Sequence, residues 1–180
     1  MKIPRIAFAA YGFALVIIIL DQWTKAWVLD AMSMVTADGA LIDPEMWSLR
    51  PIPVFEPILR FSFVLNDGFS FGLGGGGAGR WPLSVFQISV AVFLAIWAMR
   101  TDRRLLITAI GFIMGGAIGN VIDRVRFGAV VDFIDFSGTG LFPWVFNIAD
   151  SAITIGVLLL IIDTLMSERA AKVGAANEKS

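Results

Sequence analysis

Four stretches of this 180-residue chain are long and apolar enough to cross a bilayer, and that pattern decides the fold class before any single residue is weighed. A span needs about 20 mostly apolar residues at about 1.5 Å rise each to cross about 30 Å of hydrocarbon. The stretches fall at about residues 6–29, 81–99, 105–124 and 148–166. With 57% hydrophobic and 16% charged residues and a mean hydropathy of +0.79, the chain is too apolar for a water-soluble domain. Residues 1–180 read as one integral membrane domain, mainly α, with four transmembrane helices.

The sequence contains no cysteine and no histidine. Disulfides, thiol nucleophiles, Cys/His zinc sites and Ser-His-Asp triads are thereby excluded. A net charge of −1 with scattered basic residues gives no stripe for nucleic acid. Any chemistry must use carboxylates, hydroxyls, amides, lysine or arginine, and neither a metal nor a cofactor is expected.

Lysine and arginine around short loops set orientation. Lys2 and Arg5 precede the first span, Arg100, Arg103 and Arg104 fill the connection between the second and third, and Arg169 and Lys172 follow the fourth. Both termini are therefore expected in the cytoplasm. The longer connections, about 30–80 and 125–147, are expected on the outer side, with Trp23, Trp27, Trp81 and Trp144 as an aromatic belt. A cleavable signal peptide is the rival reading of the N-terminus, with Val35-Thr36-Ala37 as the cleavage site. That site lies too far beyond the apolar run, so the first helix is read as retained.

In the first outer region, Leu59, Phe61, Phe63 and Leu65 alternate with Arg60, Ser62 and Val64 before Asp67-Gly68 and Phe69-Ser70-Phe71. Alternation broken by Asp-Gly predicts a hairpin in a small outer-face sheet. The glycine-rich run that follows, up to Gly79, is expected to be flexible and leads into a helix with Pro82 in its first turn. Residues 125–147 form a short interfacial element of open secondary structure, and 168–180 a flexible tail.

The third span runs outward and ends on Asp123; the fourth starts at the same side with Asp150. Ionisable groups at membrane depth are costly and mark function by default, although interfacial carboxylates in contact with water escape that cost. Asn120 and Asp123 are three apart, and Asn147 and Asp150 repeat the spacing. Two matched N-x-x-D pairs point to carboxylates oriented by amides, sharing a proton as in an aspartic protease. Gly111, Gly115 and Gly119, beside Gly116, read first as close helix packing. A missing side chain near Asp123 would also leave room for a substrate backbone.

Asp21 and Lys25 stand i,i+4 in the favourable order for an ion pair. Lys25 could instead snorkel, or serve Ser62 or Ser70 in a Ser-Lys protease. A proton- or cation-coupled transporter is the alternative from another class, weakened by a second span whose internal polar residues are Ser84, Gln87 and Ser89. A membrane scaffold would leave the matched N-x-x-D pairs unexplained.

Nearly the whole chain resembles the lipoprotein signal peptidases (signal peptidase II), bacterial inner-membrane aspartyl peptidases. The resemblance is carried by Asp21-Gln22-Trp23-Thr24-Lys25, by Asn66-Asp67-Gly68-Phe69-Ser70-Phe71-Gly72, by the run Gly115 to Arg124 followed by Val130-Val131-Asp132-Phe133, and by Phe146-Asn147-Ile148-Ala149-Asp150-Ser151-Ala152. Phe69 departs from the alanine frequent in the family. The resemblance implies Asp123 and Asp150 as the catalytic dyad, supported by Asn120, Arg124 and Asn147, with Asp21, Lys25 and Asn66 holding the architecture or contacting substrate. It implies a prolipoprotein substrate cut just before a diacylglyceryl-modified cysteine, with membrane lipid as surroundings, a monomer, and an active site near the periplasmic face. The outer sheet and residues 125–142 would clasp the substrate from above.

Overall fold

The computed structural model describes residues 4–36, 40–42, 51–68, 79–140 and 142–177. Among them are four helices long and apolar enough to cross a membrane: α1 (Ala7–Ala31), α2 (Arg80–Ala98), α3 (Arg104–Phe127) and α4 (Ile148–Asn177). All four expected spans are present.

The third helix is the centre of the bundle. In its apolar window 72% of residues are buried, against 22 to 28% in the other three, so α1, α2 and α4 turn most of their surface outward to lipid. Small residues make this close approach possible, because in a bilayer helices associate by packing rather than by escape from water. A Cβ on Gly111 would lie 2.8 Å from the Ala10 carbonyl of α1, and one on Gly115 2.8 Å from that of Ala14. On the opposite side, a Cβ on Gly116 would strike the Ala149 carbonyl of α4, and one on Gly156 of α4 would come 2.9 Å from the Ala109 carbonyl. The glycine spacing is thus a packing device on two faces, and the room expected at Gly116 for substrate is filled by α4. Tyr11 Oη donates to the Ala95 carbonyl at 2.9 Å, tying α1 to α2. At the far end Arg103 pairs with the buried Asp163, joining the start of α3 to α4.

A four-stranded antiparallel sheet, ordered β1 (Ile52–Phe55), β2 (Leu59–Asn66), β3 (Val130–Asp135) and β4 (Val145–Phe146), sits at the other end. The two outer regions therefore build one sheet: the element between α3 and α4 supplies two of its strands. The predicted alternation lies in β2, but its hairpin partner is β1, reached through a turn at Glu56–Pro57–Ile58. At Asp67-Gly68 the chain bends, with Gly68 at φ +84° and its N–H donating to Asn66 Oδ1 at 2.9 Å; the second arm of the hairpin expected there lies outside the described residues. Phe69–Phe71 and the glycine run through 78 lie outside the described residues.

Gly128, at φ +83°, ends α3 in the left-handed conformation and throws the chain directly into β3. Nearly all of β3 is buried, since it lies between neighbouring strands and over the helix ends. Phe61 meets Trp27 of α1 and Phe133 of β3 edge-on, which seats the sheet on the bundle. The four belt tryptophans are all exposed. One boundary differs: α4 does not give way to an irregular tail but continues to Asn177, in keeping with the alanine, glutamate, arginine and lysine that follow Ser167.

Candidate active site

Polar side chains converge where the sheet meets the bundle, all of them buried except the half-buried Gln22 and Asp150. The second half of α1 brings Asp21, Gln22 and Lys25, the end of α3 brings Asn120, Asp123 and Arg124, β3 brings Asp132, and the start of α4 brings Asn147 and Asp150. They form two linked groups.

The first is a buried ion cluster. Lys25 Nζ lies 2.8 Å from Asp21 Oδ2 and 2.7 Å from Asp123 Oδ2, and it donates to Asn120 Oδ1 at 3.4 Å. Asp123 accepts further bonds from Gln22 Nε2 at 2.8 Å and from the Val131 N–H at 3.0 Å. Asp21 Oδ1 accepts the Ala149 N–H at 2.9 Å. None of Asp21, Lys25 and Asp123 is more than 2% exposed, so Lys25 does not snorkel. Burying these charges is tolerated only because each is paired and hydrogen-bonded. Both oxygens of Asp123 are occupied in joining α1, α3 and β3.

The second group holds the other two aspartates. Asp132 takes an amide donor on each oxygen, Asn147 Nδ2 at 2.7 Å and Asn66 Nδ2 at 3.0 Å. Asp150 Oδ1 accepts from Asn120 Nδ2 at 2.8 Å. Asn147 is also the cap of α4, its Oδ1 accepting the Asp150 N–H at 2.8 Å. The two N-x-x-D pairs therefore act differently from each other. Asn147 binds the backbone of its own aspartate and the carboxylate of Asp132, whereas Asn120 reaches across to Asp150.

Burial, and next the negative charge of Asp150, push the Asp132 carboxyl up from 3.8 to about 7, against the opposing pull of its two amide donors. Asp132 and Asp150 each line a groove. One of about 370 Å³ runs past Asn66, Asp67 and Asp132 to Trp144; the other, of about 380 Å³, passes Asp150 and Trp144. Asp123 lines a separate space of about 120 Å³ with Gln22, Lys25 and Arg126.

Asp132 is the residue that reading the sequence for chemistry passes over. The signal was there: an acid in the otherwise apolar Val130-Val131-Asp132-Phe133-Ile134 is a carboxylate placed in a buried strand, which is costly without a purpose. Arg124 is buried and donates to Gln87 of α2 at 2.8 Å. Ser62, a Ser-Lys candidate, donates to Asp135 at 2.5 Å, while Lys25 is held by carboxylates; Ser70 lies outside the described residues. That reading is withdrawn.

A four-span bundle with hydrogen-bonded aspartates gathered under a sheet at one end is the design of a membrane enzyme that works with carboxylates. The signal peptidase II family model matches residues 13–166, and the chain belongs to that family of aspartic-type membrane peptidases. It is 45% identical to the lipoprotein signal peptidase of Caulobacter vibrioides over 170 residues, 93% of each chain. It is 40% identical to that of Methylorubrum extorquens over 149 residues, 81% of this chain and 79% of the other. A bacterial membrane enzyme solved by the in meso method at 2.3 Å superposes with a TM-score of 0.69 at 29% identity, over 89% of each chain. The transporter alternative finds no support in these relatives.

Proposed function

We propose that this peptidase removes signal peptides from prolipoproteins by cutting just before a diacylglyceryl-modified cysteine, with Asp132 and Asp150 as the working pair. The observation that carries the pairing is that Asn147 joins these two aspartates, donating to the Asp132 carboxyl and accepting the Asp150 N–H, and that each lines a groove. Asp123, expected to be the partner of Asp150, is reassigned to the ion cluster. A carboxylate whose oxygens already hold Lys25, Gln22 and the Val131 N–H is poorly placed to take a proton from water.

In the reaction, one aspartate of the pair takes a proton from a water between them while the other donates to the scissile carbonyl oxygen. The tetrahedral adduct collapses as the amine of the cysteine leaves with a proton, so no acyl-enzyme forms. Asn66, Asn120 and Asn147 hold the two carboxyls for that exchange. Both termini lie in the cytoplasm, the sheet and aspartates face the periplasmic side of the inner membrane, and the protein acts as a monomer among lipids. Acyl chains in the outer leaflet bring the cysteine to the depth of the aspartates, an entropic gain in positioning. The test is incubation of the purified protein with a diacylglyceryl-modified prolipoprotein and with its unmodified form. Cleavage of the first alone, before the cysteine, is expected.

A further inference from the structure

The two grooves that meet at Trp144 differ in the chemistry of their walls. Beyond Asp132 the wall is mixed, with Asn66 and Asp67 beside Val64, Leu65 and Val145. Beyond Asp150 it is made by Phe142 and Trp144 on one side and by Ser151, Thr154 and Ile155 of α4 on the other. The two hydroxyls do not make that side polar: Ser151 Oγ donates to the Asn147 carbonyl at 3.0 Å, and Thr154 Oγ1 to that of Asp150 at 2.9 Å. Ile155 lies five residues beyond Asp150, about 7.5 Å further along the helix toward the hydrocarbon. The groove thus begins at a reacting carboxyl and descends an outward-facing side of α4, where Thr154 and Ile155 are exposed.

We infer that this groove seats one acyl chain of the lipidated cysteine, an inference that rests on the function proposed above. A peptide strand laid there would bring N–H and C=O groups to walls whose hydroxyl donors are already engaged, leaving those groups without partners. An alkyl chain brings none. The volume of about 380 Å³ is also several times what a single aliphatic side chain fills. An acyl chain gains little transfer free energy on leaving lipid for the groove. What it gains is a fixed direction, which aims the neighbouring peptide bond at Asp150. Trp144 is then the divide, with peptide backbone on the Asp132 side and lipid on the Asp150 side.

The test compares one prolipoprotein peptide carrying either palmitoyl or butyryl chains on its glyceryl group, with wild type and with Thr154→Trp, which fills the groove. The quantity read is the ratio of kcat/KM for the long-chain over the short-chain substrate, in which any misfolded fraction cancels. This ratio is expected to fall about tenfold in Thr154→Trp. An unchanged ratio in a variant that still cleaves overturns the acyl seat alone. So does a variant that keeps the ratio but changes the relative rates for small and large side chains at the residue before the cysteine, which assigns the groove to a peptide side chain. Wild type that cleaves neither substrate overturns the peptidase reading, and this inference with it.

Discussion

Asn147 Nδ2 donates to Asp132 Oδ1 at 2.7 Å. The same side chain, through Oδ1, receives the Asp150 N–H at 2.8 Å, so one amide spaces a strand carboxyl against the first turn of a helix. A serine at this position can still cap α4 but has no second amide donor for Asp132. Asn147→Ser is therefore expected to cut turnover by about 10² or more while costing about 1 kcal/mol of stability, whereas Asn147→Ala loses the cap as well. Turnover and thermal unfolding in detergent, measured on both variants, check the split.

Lys25 stands between Asp21 and Asp123 with all three buried. Removing one partner from a buried ion cluster leaves uncompensated charge and costs about 3–5 kcal/mol. Lys25→Met is expected to lower the unfolding midpoint strongly. The double variant Lys25→Met with Asp123→Asn should recover part of that loss, as a double-mutant cycle would quantify.

The raised Asp132 carboxyl gives stability a pH dependence. Its folded value is about 7 and its ordinary value 3.8, so between those limits the folded state holds more protons than the unfolded. Stability should fall as pH rises from about 4 to about 7, by at most about 1.4 kcal/mol per unit, and level off above. Asp132→Asn should flatten that contribution. Unfolding midpoints across this range, for both proteins, provide the measurement.

Gly116 faces the Ala149 carbonyl of α4, where a methyl group has no space. Gly116→Ala is expected to cost about 1–3 kcal/mol by forcing α3 and α4 apart. It should also reduce turnover, because α4 carries Asp150. Gly12, whose Cβ would meet nothing within 4 Å, is the control: Gly12→Ala should be neutral or slightly stabilising.

The helices were legible because a bilayer enforces length and apolarity on each one separately. The sheet was half legible. Alternation marked β2, but pairing β2 with β3 joins residues as far apart as Arg60 and Asp135, and local pattern carries no information about such partners. Spacing brought Asn120, Asp123, Asn147 and Asp150 to one level, yet which carboxyl faces which depends on the turn at Gly128 that lays β3 over the helix ends. The position of Asp132 follows from that crossing, and the occupation of Asp123 by Lys25 from the packing of α1 on α3. Symmetry in the sequence favoured pairing Asp123 with Asp150, since the two N-x-x-D repeats look alike, whereas their amides point to different partners.

The central claim is the identity of the pair, and the most direct measurement is cleavage of a diacylglyceryl-modified prolipoprotein by Asp132→Asn, Asp150→Asn and Asp123→Asn, each normalised to its folded fraction. The account predicts no measurable turnover from the first two, and from Asp123→Asn a less stable protein whose folded molecules still cleave. A folded but inactive Asp123→Asn beside an active Asp132→Asn would contradict it.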